Sequence, residues 1–270
     1  MAIGGVLFDI DGVLVTSWQP IPGAADALRV LADNRIAAAY LTNTTTRTRG
    51  QIAAALTTAG MTVRPDEVIT AAALTADYVR TTYPDARCFL VNNGDITDDM
   101  PGIDIVDSLA FTDGRVPETP DVVLLGGAGP STATTLSRVY EWMAQRVPVV
   151  AMHRSTAWTT TEGLRIDTGM YLIGMEETSG RNATAVGKAG TGRIPNRRRA
   201  TRRRTRDVYM VGDDLNNDVL AAQVVGMTGV LVRTGKFRQD TLDRWAADEF
   251  AMQPNHVLDS VADLPGLLGL

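Results

Sequence analysis

With 270 residues, 44% of them hydrophobic, the chain is long enough for one large core or two moderate ones, and its composition excludes a disordered polymer. No apolar run reaches membrane-spanning length and nothing near the first residue reads as a signal or anchor, so a cytoplasmic protein is expected. The single cysteine, Cys88, excludes an intramolecular disulfide and fits a reducing compartment, and the net charge of −5 conceals one strongly basic segment.

Val6, Leu7 and Phe8 lead into Asp9; Asp11 stands two places on and Gly12 turns the chain. A continuous apolar run ended by a breaker reads as a buried parallel strand. Two carboxylates at its end are costly to bury without a cation or hydrogen-bond donors. Residues 22–34 put Ala24, Ala27, Leu28 and Leu31 on one helical face. Residues 36–41 read as a second strand, ending in Thr42, Asn43 and Thr44. A helix follows, with hydroxyls as candidate caps, Ile52, Ala55, Leu56 and Ala59 facing inward, and Gly60 at its end. This alternation predicts an α/β fold, a Rossmann-like doubly wound parallel sheet whose ligands gather at the carboxyl ends of its strands.

Residues 68–70 read as a short strand and 71–83 as a helix. A second α/β run follows, with strands at 88–91, 122–125 and 149–152 and a helix over 131–146. Residues 208–211 then return to the opening pattern. Residues 73–186 are therefore read as a smaller α/β unit inserted into a core made of 1–72 and 187–270. The returning strand runs into Gly212, Asp213, Asp214, Leu215, Asn216, Asn217 and Asp218. A short helix over 219–225, a strand at 229–232, a helix through Leu242 and Trp245, a strand at 256–258 and a closing helix complete the pattern.

Acids at the ends of two parallel strands can converge on one hard cation with oxygen ligands, of which magnesium fits best. Magnesium held by few protein ligands usually serves a phosphate. Asp214 and Asp218 also suit helix capping. Thr42 and Asn43 supply a hydroxyl and backbone N–H groups ahead of a helix, a geometry that holds anions or simply caps the helix. Lys188, after Gly187, can bring a cation to the same phosphate.

The run DIDGV at 9–13, TNT at 42–44, GK at 187–188 and GDDLNND at 212–218 resembles the haloacid dehalogenase superfamily. It is most similar to the phosphatase branch with a large α/β cap between the second and third motifs. That branch holds nitrophenyl-phosphatase-like and phospholysine/phosphohistidine-phosphatase-like proteins. The resemblance implies Asp9 as nucleophile and Asp11 as general acid/base. It gives Thr42 and the following N–H, at Asn43, with Lys188 as phosphate holders. It also implies Mg2+ bound by Asp9, Asp213 and the carbonyl of Asp11, with Asp218 in support. An acid at position 11 favours phosphatase or phosphomutase chemistry, and the large insert favours phosphatase.

The implied substrate is a small phosphorylated metabolite, with no nucleic acid or membrane as partner; caps of this branch often take part in homodimers. His153, after the strand at 149–152, sits where similar proteins place a substrate-facing residue, although a solvated loop histidine fits the sequence equally well. Trp158 and Arg154 are weaker candidates. Residues 163–171 resemble a turn into the last cap helix. Hydrolysis of P–N bonds or pyrophosphate at the same site is one alternative activity; a catalytically impaired binding protein is another.

The segment 189–207 departs from the family pattern, which needs a helix there. It holds eight arginines and one acid, so it carries +7 and leaves −12 to the other residues. Its apolar side chains are too few to form a buried face, and adjacent arginines repel. Either it is a functional basic patch, or the source gene carries a frame error. Dropping one base after codon 188, with permitted codons chosen freely, turns the segment into PAPEEFRTAAELLGVEPE, which reads as an amphipathic helix opened by proline. The frame error is the favoured reading.

Overall fold

The computed structural model describes residues 3–107, 118–127, 133–160, 162–188, 205–248 and 250–270, without the side chains of 107, 159, 160 and 164. Most of the arginine-rich segment (189–204) and the expected helix start at 131 lie outside the described residues.

The chain opens with β1 (Gly5–Asp9) and a small hairpin of β2 (Val15–Thr16) and β3 (Gln19–Pro20). Next come α1 (Ala24–Asp33), β4 (Ala38–Thr42), α2 (Arg49–Thr58), β5 (Val68–Thr70) and α3 (Ala71–Thr82). The middle of the chain holds β6 (Arg87–Val91), β7 (Asp104–Asp107), β8 (Val122–Leu125), α4 (Ala133–Ala144) and β9 (Val149–Ala151). A hairpin of β10 (Ala157–Thr160) and β11 (Gly163–Ile166) leads to α5 (Thr168–Ser179) and β12 (Thr184–Ala185). The last third is β13 (Val208–Gly212), α6 (Ala221–Val224), β14 (Thr228–Val232), α7 (Gln239–Ala246), β15 (His256–Leu258) and α8 (Leu264–Leu268).

Two parallel sheets result. The first runs β15-β14-β13-β1-β4-β5 and joins the two ends of the chain; the second runs β12-β9-β8-β6-β7. β1 is fully buried because both its faces are covered, as a central parallel strand requires. Val6 and Phe8 pack into one cluster with Leu31, Ile52 and Leu56, while Leu7 joins Leu41 and Met210 in another. The second sheet divides its residues the same way. Cys88, Leu90, Val122 and Leu124 face α3, whereas Phe89, Val91, Val123 and Leu125 face α4 and α5. Phe89 meets Trp142 edge-on at 4.9 Å between ring centroids. Cys88 is therefore a core residue, and burial pushes its thiol up to about 11.

Local chemistry explains where the elements begin. Thr48 caps α2 in a capping box: its hydroxyl accepts from Gln51 N while the Gln51 side chain accepts from Thr48 N. The helix expected over 219–225 starts earlier, as a π-helical turn over Leu215–Leu220. Asp214 caps it, accepting from Asn216 N at 3.1 Å and Asn217 N at 3.0 Å. Residues 163–171 differ from expectation as well. Their first part pairs as β11 with β10, Trp158 opposite Arg165, before Asp167 caps α5.

Candidate active site

The carboxyl ends of β1, β4, β13 and β14 converge on one cavity of about 210 Å³, which the second sheet's loops close from above. Asp9 ends β1 and is 3% exposed; Asp213 follows β13 and is 1% exposed. Carboxylate oxygens of Asp9, Asp213 and Asp218 all lie within 4.8 Å of one another. Three buried acids this close cannot all stay ionised without positive charge. Lys188 supplies some of it. Its Nζ pairs with Asp9 Oδ1 and lies 3.2 Å from Asp218 Oδ1. Lys236, in the loop after β14, adds a backbone N–H, donated to Asp213 Oδ2 at 2.6 Å.

The charges show in the titration behaviour. Burial raises Asp213 well above the carboxylate range, and the charges of Asp9 and Asp218 raise it further. Burial also lifts Asp218, to about 7, although Lys188 opposes it. For Lys188 burial works downward, but Asp218 and Asp9 outweigh it and hold the ammonium charged. Asp11 is raised as well, first by burial and then by the charge of Asp9.

A chain of hydroxyls connects β4 to Asp11. Thr42 Oγ1 donates to Thr44 Oγ1 at 3.0 Å, and Thr44 Oγ1 donates to Asp11 Oδ2 at 2.9 Å. Thr42 Oγ1 also accepts from Thr44 N at 3.0 Å. Asn43 Oδ1 accepts from Lys188 N at 3.2 Å, which fixes the lysine's backbone against the phosphate-loop candidate. Backbone crowding completes the floor. A Cβ on Gly12 (φ 84) or Gly235 (φ 62) would run into Asp213 Oδ2, and both glycines occupy the left-handed region.

These residues fit a divalent metal with oxygen ligands. Asp213 Oδ1 is buried with no hydrogen-bond partner among the described residues, and three carboxylates lie within reach of one ion. Asp218 stands inside this cluster through its side chain; its Oδ2 accepts from Asp214 N at 3.2 Å. The Asp11 carboxylate instead points to Thr44.

The upper wall comes from the second sheet. His153 follows β9 and is buried, not solvated: its Nε2 lies 3.9 Å from Asp167 Oδ1 and its Nδ1 has no hydrogen-bond partner among the described residues. Burial lowers its pKa more than Asp167 raises it, so the ring stays neutral at neutral pH. Trp158 lines the cavity while remaining 49% exposed, so it does not pack wholly against its own sheet. Arg154 turns away into a two-pronged ion pair with Glu176, with Nη1 donating to Oε1 at 2.7 Å. Sequence reasoning does not single out Thr44, Lys236 or Trp18. The signal for Lys236 is topological: it sits beyond the end of a strand next to the one that carries Asp213.

A family model described as haloacid dehalogenase-like hydrolase matches residues 6–105, and a second, HAD-hydrolase-like, matches 185–264. The chain is 28% identical over 253 residues to "Haloacid dehalogenase-like hydrolase domain-containing protein 2" of Pongo abelii, covering 94% of this chain and 90% of that protein. NagD from E. coli K-12 superposes with a TM-score of 0.77 at 26% identity, over 97% of this chain and 98% of NagD. The p-nitrophenyl phosphatase from Archaeoglobus fulgidus shares the fold with a TM-score of 0.83 at 22% identity, over 99% of this chain and 100% of that one. The chain thus belongs to the haloacid dehalogenase superfamily, in its phosphatase branch with a large α/β cap.

Proposed function

We propose that this phosphatase hydrolyses small phosphomonoesters in a magnesium-dependent reaction, through an aspartyl-phosphate on Asp9. In this reading 1–72 and 187–270 are the catalytic core and 73–186 the cap that screens the leaving group. The observation that carries the reading is the meeting of Asp9, Asp213 and Asp218 within 4.8 Å, with Lys188 against Asp9. The size of the cavity supports a small substrate, since about 210 Å³ is below the roughly 300 Å³ at which drug-sized sites begin. The lone thiol, buried at Cys88, supports a cytoplasmic setting.

Asp9, Asp213 and the Asp11 carbonyl, with Asp218 in support, would hold magnesium, whose charge would neutralise phosphoryl oxygens. The chain's own groups do the rest. Asp9 attacks phosphorus and forms an acyl phosphate as the ester oxygen departs. Asp11, whose raised pKa favours the protonated form, gives its proton to that oxygen. It then takes a proton from the water that attacks the phosphorus of the intermediate, releasing inorganic phosphate and restoring Asp9. Lys188 balances the charge that spreads over the equatorial oxygens. Asn43 holds Lys188 in place through its backbone. His153, which lines the cavity, would face the leaving group.

The test is release of phosphate from a generic aryl phosphate with and without magnesium. Activity that needs magnesium and disappears in Asp9→Asn is the expected result. Activity unaffected by that substitution would remove Asp9 as the nucleophile.

A further inference from the structure

The ends of β6 and β8 meet the first sheet's loops at one stretch of chain, the residues between β4 and α2 that follow Thr44. Asn92, just past β6, donates from Nδ2 to Thr45 O at 2.7 Å and to Gly94 O at 2.9 Å. Its Oδ1 accepts at 2.9 Å from Gly127 N, just past β8, and Thr45 Oγ1 shares that N–H at 2.8 Å. Two carbonyls on one side and an N–H on the other suit an amide and oppose a carboxylate. Thr45 is 3% exposed, so its carbonyl and hydroxyl depend on these partners. The backbones are also pressed together. A Cβ on Gly94 (φ 109) would come within 2.6 Å of Thr46 O, and one on Gly127 within 2.6 Å of Thr45 Oγ1. Further along, Asp99 accepts from Arg49 N and Nε, so residues 92–99 grip residues 45–49 at both ends.

We propose that Asn92 is a positioning residue for the reaction at Asp9. By tying Thr45 to the ends of β6 and β8, it makes the placement of Thr42, Asn43 and Thr44 depend on a seated cap. The proposal rests on the phosphatase reading and on its division into core and cap. Asn93 lines the cavity, whereas the Asn92 side chain turns to Thr45 and acts through it. Thr44, one residue before the tie, donates to Asp11 Oδ2 at 2.9 Å. A displacement of about 1 Å in such a group costs up to about 10²-fold in rate. The charge that meets the phosphoryl group is anchored separately, because Lys188 Nζ is paired with Asp9 and Asp218. Breaking the tie therefore lowers kcat and leaves phosphoryl binding in place.

Two measurements on the magnesium-loaded protein test this: kcat and KM for an aryl phosphate, and calorimetric binding of methylphosphonate, an unreactive phosphoryl mimic. Asn92→Ala should lower kcat by about tenfold while methylphosphonate affinity changes by less than about threefold. Asn92→Asp keeps the shape and the acceptor for Gly127 N but loses both donors and sets a carboxylate against two carbonyls. It should lower kcat in the same way, and it stands in for Asn92→Ala should that variant not fold. Thr45→Val should resemble Asn92→Ala, whereas Thr45→Ser, which keeps the hydroxyl, should retain the parent kcat. Because Asn92 and Thr45 share the Gly127 N–H, the double variant Asn92→Ala/Thr45→Val should fall less than about threefold below the lower single variant. An unchanged kcat in the Asn92 variants, or single effects that multiply in the double, overturns the positioning role and leaves the phosphatase reading standing. Methylphosphonate affinity that falls in step with kcat overturns it as well. An unsubstituted protein that neither binds methylphosphonate nor turns over the aryl phosphate overturns both, and marks the failure as one of the phosphoryl site.

Discussion

Lys188 and Asp9 form a buried ion pair although they lie far apart in the chain, and Asp218 lies 3.2 Å from the same ammonium. The lysine neutralises an acidic cluster that the fold could not otherwise bury at tolerable cost. Replacing it with methionine removes the cation and keeps the shape. Lys188→Met should lower phosphate release by about 10²-fold or more. It should also destabilise the metal-free protein by about 3 kcal/mol, because removal of one partner leaves buried charge unpaired. Rate measurements and urea unfolding in chelator check both; an unchanged rate would contradict the assigned role.

Thr44 donates to the Asp11 carboxylate, and this hydrogen bond favours the ionised form. Thr44→Val should therefore push the Asp11 pKa further up. If protonated Asp11 is the acid of the reaction, activity falls as pH rises through its pKa. The alkaline limb of the kcat/KM profile should move to higher pH in the variant. A limb that stays in place, or moves downward, contradicts the role of Asp11.

Burial raises both Asp213 and Asp218, the latter to about 7. Between the ordinary carboxylate pKa of about 3.9 and that value, the native state binds more protons than the unfolded one. These two groups therefore make the metal-free protein less stable as pH rises through that window. Magnesium requires the ionised carboxylates, so its stabilising effect runs the other way. The rise in Tm on adding magnesium should be small at about pH 5 and larger at about pH 8. A rise as large at the lower pH would argue against an ion on these acids.

Asp99 joins the two sheets' surroundings at a second buried point. It accepts from Arg49 N at 2.9 Å, Arg49 Nε at 3.0 Å and Thr70 Oγ1 at 3.0 Å, and is 5% exposed. Asp99→Asn removes the charge from these bonds. It should cost about 1.5–3 kcal/mol of stability, read from denaturant unfolding, with methylphosphonate binding retained if the phosphoryl site is independent of it.

The sequence carries the catalytic floor plainly for a physical reason. Central parallel strands are buried on both faces, so β1 and β13 read as apolar runs, and the acids that end them stand out. Cys88, with apolar neighbours, reads as core for the same reason. Edge and loop features carry no such contrast. β7 has only Ile105 and Val106 between two acids, and its pairing along one side of β6 could not be foreseen. The β10–β11 hairpin mixes threonines, a tryptophan and an arginine without clean alternation. Trp18, Lys236 and Asp99 acquire meaning only from the elements packed around them. His153 reads in sequence as either a solvated or a substrate-facing residue, and its burial at the cavity wall is a tertiary effect.

The central claim is that Asp9 carries the phosphoryl group during turnover. The most direct measurement is mass spectrometry of acid-quenched enzyme, taken during steady turnover of an aryl phosphate with magnesium. The account predicts one phosphoryl group on the peptide containing Asp9, absent in Asp9→Asn and absent without magnesium. Turnover at full rate with that peptide unmodified, and with Asp9→Asn still active, would contradict it.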